Sequence, residues 1–367
     1  MRIILSGGGT AGHITPAIAI AETVRAYDKH AEITFVGTPT GMENELVTNA
    51  GYPIRHVNVR GFSRTPTLRN IGALYLALVS PWHAERLLSA LRADAVIGTG
   101  GYASWPILRA AAHKGIPCAV HESNAIPGMT VRRLAPYVDE VWLNFKDASR
   151  YLPKNTSRFL ETGNPIRQGF RTVSRYDARK KLGLGERDFL LLSFGGSLGA
   201  ERINEAVLAL GNDLLPRFPN LFLVHGTGKR YYNAIQTVLG KQRHPRMSLL
   251  PYIEDMPLYM GAADTVICRA GAMTLSELSL CGKSAILIPS PNVTDNHQHK
   301  NAALLADAGA AALVEESALS EGRLASEVEA LIKSPSLCAD RERAIRRFAH
   351  PDANQRILTR ILALTKK

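Results

Sequence analysis

Four cysteines in 367 residues, none of them in a C-x-x-C pair, exclude a disulfide framework and a thiolate metal site. Cys118, Cys268, Cys281 and Cys338 sit in apolar or helical contexts and read as reduced core thiols. No D-x-D triplet occurs, so a carboxylate-held divalent cation on a nucleotide is not indicated; neither a metal nor a cofactor is expected. The longest apolar run, residues 71–82, is interrupted by Ser80 and Pro81 and falls short of the ~20 residues that span a bilayer. The first residues lead straight into a strand and a glycine loop, so no secretory leader is expected. Disorder is excluded by 46% hydrophobic and 21% charged residues, ordinary values for a globular chain.

Basic residues are in excess, 44 against 32 acids, for a formal charge of +12, and they are unevenly placed. Arg55, Arg60, Arg64, Arg69, Arg86 and Arg92 face one acid, Glu85, across residues 55–92; the tail 340–367 holds eight basic residues against three acids. A basic surface attracts nucleic acid, anionic lipid or an acidic substrate. No aromatic ladder accompanies the arginines, so nucleic acid is not an expected partner. The first cluster instead borders the apolar segment 68–82, with Leu74 and Tyr75 inside it and Trp82 near its end. Such a segment suits either a helix buried on a sheet or an interfacial membrane contact, and both hold if its two faces differ.

A strand followed by a glycine loop occurs twice. Residues 2–6 run into Gly7-Gly8-Gly9-Thr10-Ala11-Gly12-His13, with a helix predicted from about Pro16 to Tyr27. Residues 189–194 run into Gly195-Gly196-Ser197-Leu198-Gly199, with a helix from Ala200. Glycines let the backbone turn tightly and approach a ligand, and the following helix aims its free N–H groups at an anion. Further strands are predicted at 32–36, 54–59, 95–98, 117–121 and 140–143, then at 221–225, 247–250, 265–268, 284–288 and 311–314. Helices are predicted at 42–49, 70–90, 105–114, 129–135, 274–280 and 297–308. The alternation predicts an α/β protein of two Rossmann-like parallel-sheet domains with ligands at the carboxyl ends of the strands. Thr162-Gly163-Asn164-Pro165 reads as the interdomain turn, dividing domain 1–164 from domain 165–339. The segment 340–367 looks helical, breaks at Pro351 and is expected to pack back on the first domain.

Gly7-x-Gly9-x-x-Gly12 matches a dinucleotide fingerprint, but the second strand ends Phe35-Val36-Gly37-Thr38, without the acid that would hold an adenosine ribose. Gly195-x-Ser197-x-Gly199 matches a hydrolase elbow, with Asp295, His297 and His299 downstream, yet it opens a second domain and suits a diphosphate cradle better. His13 stands at a helix N-terminus, where the dipole favours a neutral ring able to accept a proton. Gly98-Thr99-Gly100-Gly101 is a third glycine cluster, suited to a second pyrophosphate. Glu277 lies one turn into a helix after residues 265–268 and suits the cis-diol of a ribose.

The motifs G-G-G-T-A-G-H, G-T-G-G-Y, H-E-S-N, G-N-P-I-R, G-G-S-L-G and C-R-A-G-A-M-T-L-S-E, with N-H-Q-x-x-N, resemble the MurG family of bacterial UDP-N-acetylglucosamine transferases in content and order, across nearly the whole chain. The resemblance implies a GT-B fold with two domains facing across a cleft, the sugar nucleotide held mainly by the second and acceptor and membrane met by the first. It implies diphosphate contacts from Ser197 and Arg167, a uracil contact from the Ile253 backbone, and nucleotide contacts from Ala272, Met273, Thr274, Leu275, Ser276 and Glu277, with Glu277 on the ribose. Gln298 would read sugar hydroxyls, while Thr10, Ala11, Gly12 and Asn124 would line the cleft from the other side. Gly9, Gly100, Gly101 and Tyr102 would meet the acceptor pyrophosphate. Ser123 and His297 stand where some family members carry Gln.

The activity so implied is inverting transfer of GlcNAc from UDP-GlcNAc to the MurNAc 4-hydroxyl of lipid I, giving lipid II, with His13 as general base. The expected setting is peripheral, on the cytoplasmic face of the membrane, with an anionic lipid surface and the cell-wall or division machinery as partners. A UDP-sugar transferase with another acceptor, or a non-catalytic sugar-nucleotide-binding protein, is the alternative.

Overall fold

The computed structural model describes residues 1–61, 68–154, 158–196, 198–240, 243–293 and 296–366. They form two compact units, Met1–Gln168 with His350–Lys367, and Gly169–Ala349.

The first unit alternates β1 (Arg2–Ser6), α1 (Ala11–Tyr27), β2 (Glu32–Gly37), α2 (Glu43–Asn49), β3 (Ile54–His56), α3 (Leu68–Leu91), β4 (Ala95–Gly98), α4 (Ser104–His113), β5 (Cys118–Glu122), α5 (Met129–Leu134), β6 (Glu140–Leu143) and β7 (Arg158–Glu161). The sheet is parallel, in the order β3-β2-β1-β4-β5-β6-β7. The strand order reverses at β1, whose two neighbours are β2 and β4. The carboxyl ends at such a switch point open a ligand crevice. The edge strands depart from the sequence expectation. β3 stops at His56 instead of residue 59 because only three of its residues find partners on β2. β7 was not foreseen: its sequence RFLE is half exposed and shows no buried apolar run.

α1 starts at Ala11, five residues before the expected Pro16 start. Thr10 is its N-cap, and Pro16 lies inside the helix. The ring of Pro16 denies the Gly12 carbonyl its usual donor, but Gly12 is exposed, so water can serve it. His13 is thereby carried on the first helical turn.

The second unit opens with α6 (Gln168–Thr172) and α7 (Arg175–Lys181). It continues through β8 (Phe189–Phe194), α8 (Glu201–Arg217), β9 (Leu221–Gly226), α9 (Lys229–Leu239), β10 (Met247–Leu250), α10 (Met256–Ala262), β11 (Thr265–Cys268), α11 (Ala272–Cys281), β12 (Ser284–Leu287), α12 (His297–Asp307), β13 (Ala312–Leu313), α13 (Arg323–Lys333) and α14 (Pro335–Ile345). Its parallel sheet runs β10-β9-β8-β11-β12-β13, with the reversal at β8.

The chain then returns to the first unit as α15 (Ala353–Leu364). Within 340–367 the chain divides: α14 stays with the second unit, where Cys338 is buried in the core, and the first unit resumes at His350. Ile357, Leu358, Ile361 and Leu364 of α15 join α1 and β1 in the first unit's core. Each such burial contributes roughly 1.5–3 kcal/mol. Asn354 ties the returning segment down, accepting from the Ile166 N–H (3.0 Å) and donating to the Ile166 carbonyl (3.0 Å) and Thr23 Oγ1 (2.7 Å). Arg167 is therefore carried by the first unit, not by the second as its assignment to domain 165–339 expected.

Much of the basic tail is spent on ion pairs. Arg360 binds the buried Glu140, Arg356 pairs with Asp352, and Arg341 with Glu327.

Candidate active site

In the first unit, three loops meet at the carboxyl ends of β1, β2 and β4. A Cβ on Gly7 would lie 2.1 Å from Thr99 Oγ1 and 2.3 Å from the His13 carbonyl, and one on Gly101 only 2.0 Å from the Gly8 carbonyl. Gly9, Gly100 and Gly101 have φ of +85°, +92° and +74°, values that side chains rarely adopt. The glycines thus permit the loops after β1 and β4 to touch backbone to backbone. Thr99 Oγ1 donates to the His13 carbonyl at 2.6 Å, and Ser104 Oγ to the carbonyls of Ser6 and Gly100 at 3.0 and 2.6 Å.

The His13 ring lies over the 98–101 glycine cluster: a Cβ on Gly100 would stand 2.9 Å from its Cδ2 and 3.3 Å from its Nε2. On the other side Thr10 Oγ1 is 3.0 Å from Nδ1. Thr10 makes no capping bond to its own helix; its hydroxyl serves the imidazole instead. A neutral ring that donates Nδ1–H to Thr10 carries its basic lone pair on Nε2. Tyr102 packs its ring against Gly9 and Gly61.

At the end of β5, Asn124 is held by Glu122, whose Oε1 accepts its backbone N–H and its Nδ2, each at 2.9 Å, while Oε2 accepts the Gly128 N–H at 2.8 Å. Burial pushes the Glu122 carboxyl up, opposed by these hydrogen bonds. Glu122 sits inside the quoted H-E-S-N motif without having been given a role. Glu43 was missed outright. It is buried, and its carboxylate binds Thr38 and the Gly9 N–H. An acid in a helix's first turn ordinarily reads as a solvated dipole partner, which hid it.

In the second unit the glycine loop after β8 meets the loop after β9. A Cβ on Gly199 (φ +77°) would lie 2.2 Å from the Thr227 carbonyl, and one on Gly228 (φ +86°) 2.6 Å from Gly199 Cα. Asn204 of α8 fixes this contact, donating to the Thr227 carbonyl at 3.0 Å and standing 3.0 Å from Nε2 of the buried His225. Ser197 itself, like Asp295 and Arg64, lies outside the described residues.

The other residues expected to meet the nucleotide lie beyond neighbouring strand ends. Ile253, after β10, turns its side chain towards Gly226 of β9 and is buried. Ala272 to Glu277 form the first turns of α11. Glu277 is buried, unlike an ordinary solvated helix acid. It also helps keep the thiols of Cys268 and Cys281 neutral: burial pushes both up, Cys281 to about 11, and the Glu277 charge adds to this. After β12, Gln298 Oε1 accepts the Ser290 N–H at 2.9 Å, so its amide nitrogen is the group with donors to offer. Arg269, unmarked by the sequence reading, donates to the carbonyls of Ile288 (3.3 Å) and Pro289 (3.1 Å) and pairs with Glu316. His299 pairs with Glu315 at 2.9 Å. Among the described residues no group of three or more His, Cys, Asp or Glu is placed to hold a metal ion.

Residues 3–143 match the glycosyltransferase family 28 N-terminal domain, and residues 190–357 the glycosyltransferase family 28 C-terminal domain. The UDP-N-acetylglucosamine–N-acetylmuramyl-(pentapeptide) pyrophosphoryl-undecaprenol N-acetylglucosamine transferase of Acetivibrio thermocellus is 40% identical over 360 residues, covering 97% of this chain and 96% of the relative. The transferase of the same name from Alkaliphilus metalliredigens is 38% identical over 372 residues, covering 100% of both. Among solved structures, Acinetobacter baumannii MurG matches with a TM-score of 0.75 and 29% identity over 99% of both chains. With both glycine-loop units matched and relatives aligned along the full chain, this protein belongs to the MurG family of glycosyltransferase family 28.

Proposed function

We propose that this chain transfers GlcNAc from UDP-GlcNAc to the 4-hydroxyl of the MurNAc-pentapeptide carried on undecaprenyl pyrophosphate, forming lipid II for peptidoglycan. Full-length similarity to transferases of that name supports the substrates. The Thr10–His13 pair, with Oγ1 3.0 Å from Nδ1, is the observation that carries the chemistry; in this reading the neutral imidazole gives its Nδ1–H to Thr10 and keeps Nε2 as acceptor. Nε2 takes the proton of the acceptor hydroxyl as its oxygen bonds to the anomeric carbon. The bond from that carbon to the UDP oxygen breaks, and the α-linked sugar leaves β-linked.

The donor assignment follows the strand ends of the second unit. Backbone N–H groups of the loop after β8, the Ser197 hydroxyl and Arg167 stabilise the charge growing on UDP. The Ile253 backbone meets uracil, Ala272 to Ser276 line the nucleotide, Glu277 takes the ribose hydroxyls and the Gln298 amide donates to the sugar. Thr10, Ala11, Gly12 and Asn124 complete the sugar's surroundings, with Gly9, Gly100, Gly101 and Tyr102 near the acceptor pyrophosphate.

The acceptor is a lipid, and α3 supplies a surface for it. This helix buries Ala73, Ser80, Ala84 and Leu88 and exposes Ile71, Leu74, Tyr75, Leu78 and Trp82 on its other side, with Leu78 and Trp82 each 66% exposed. No helix among the described residues is long and apolar enough to cross a membrane. This stripe, continued one turn after Trp82 by Arg86, docks the enzyme on the anionic cytoplasmic membrane face, where the cell-wall machinery works.

The deciding assay follows labelled GlcNAc from its UDP donor to a lipid I analogue in vesicles, with and without EDTA. Labelled lipid II formed in both supports the acceptor and metal-free transfer. UDP-GlcNAc binding without labelled lipid overturns the acceptor assignment, and transfer abolished by EDTA overturns the metal-free step.

A further inference from the structure

We infer that Glu43 is a positioning residue of the transfer reaction, setting the His13 imidazole through Gly9 and Thr10; this rests on the reading of His13 as the base. Glu43 is only 1% exposed, and the cradle around its side chain is built from backbone. A Cβ on Gly41 would fall 2.1 Å from its Oε2, one on Gly37 2.6 Å from its Cγ, and one on Gly8 2.9 Å from its Oε1. Three positions without a side chain therefore make room for this one carboxylate. It meets three donors: the Thr38 N–H at 2.8 Å and the Thr38 hydroxyl at 2.7 Å on Oε1, and the Gly9 N–H at 3.3 Å on Oε2. An ionised carboxylate accepts all three, whereas an amide of the same shape would turn an NH2 towards one of them.

Gly9 is gripped from the other side as well: a Cβ there would lie 2.8 Å from Cε1 of the Tyr102 ring, which the glycine makes room for. The bound N–H and the ring together hold Gly9 at φ +85°, and that turn aims Thr10. Thr10 in turn places Oγ1 3.0 Å from His13 Nδ1. The carboxylate also occupies an N–H at the mouth of a glycine loop that a phosphate would otherwise use. Its role there is to shape the loop, leaving the acceptor's charge to other donors.

A double-mutant cycle tests this. Glu43→Gln should lower kcat at least tenfold with the KM for UDP-GlcNAc within twofold, and should lower it less than twofold further in a His13→Ala background. Equal losses in both backgrounds, or a folded Glu43→Gln enzyme within twofold of the parent, would overturn the inference. A second readout needs no turnover: 15N spectra of the imidazoles, with His13 assigned from His13→Ala. The parent should show His13 mainly as the Nδ1–H tautomer and Glu43→Gln a mixture; an unchanged signal also overturns the inference. If the parent transfers no sugar, the proposed function fails, while the imidazole spectra still decide whether Glu43 sets the ring. Should Glu43→Gln not fold, Thr38→Ala removes one of the three donors and should move both readouts the same way by a smaller amount.

Discussion

The indole N–H of Trp105 donates at 2.8 Å to the Ala77 carbonyl, the one that Pro81 leaves without a helical donor in α3. A side chain of α4 thus repairs the break in its neighbour, and the helix carrying the exposed apolar stripe continues through Pro81 to Leu91. Trp105→Phe keeps most of the packing and removes the bond. It should destabilise the first unit by about 1–2 kcal/mol, the cost of an orphaned carbonyl, measured by urea unfolding with UDP-GlcNAc affinity unchanged.

His13→Ala should lower kcat by roughly 10²- to 10⁴-fold, the range for losing a general base, with donor affinity within twofold. Steady-state rates and calorimetric titration of UDP-GlcNAc separate the two. Equal losses in both would leave His13 as a helix cap and nothing more.

Two glycines of the first unit should respond in opposite ways to alanine. At Gly101 the new methyl meets the Gly8 carbonyl at 2.0 Å, on a backbone with φ +74°. Gly101→Ala should cost more than about 2 kcal/mol and abolish transfer. Gly72, inside α3, has nothing within 4 Å of its would-be Cβ, so Gly72→Ala should stabilise the helix by up to about 1 kcal/mol. Melting curves of the two variants check the sign of each.

Burial holds His121 and His225 neutral, each with its pKa lowered from 6.5 to about 4, against a weaker upward pull from a backbone hydrogen bond. Between pH 6.5 and 4 the unfolded chain binds protons that the native rings refuse. Stability is therefore fully present above 6.5 and falls with decreasing pH, by up to about 1.4 kcal/mol per pH unit for each ring. One ring lies in each unit, so both should weaken on acidification. Urea midpoints at pH 7.5 and 5 test this, and His121→Gln should flatten the slope in the first unit alone.

The alternation of strands and glycine loops, and with it the two parallel sheets, was legible because central strands are buried on both faces and must be apolar throughout. Residues 2–6, 95–98, 140–143, 189–194, 247–250 and 265–268 match their strands end to end. The edges of the first sheet were not legible, whereas the second sheet's edge strand β10 was. β7 buries little, and β3 ends where its partner ends, so neither is written in an apolar run. The positions of His13, Asn124, Glu277 and Gln298 at strand ends followed from motifs. Their holders, Thr10, Glu122 and Ser290, did not.

Local sequence by itself determined the elements, the glycines that allow close approach, and the polar groups available at the carboxyl ends of the strands. Each of these depends on neighbours a few residues away: hydropathy period, Cβ sterics and helix dipoles. Only the tertiary structure decided that Glu43 is buried beneath Gly8, Gly37 and Gly41, that Asn354 fastens Ile166 across 188 residues of chain, and that α14 and α15 part between the units. Those relationships depend on which buried donor meets which acceptor after the sheets have formed. Burial makes an unmet partner costly wherever it lies in sequence, and no local pattern records that pairing.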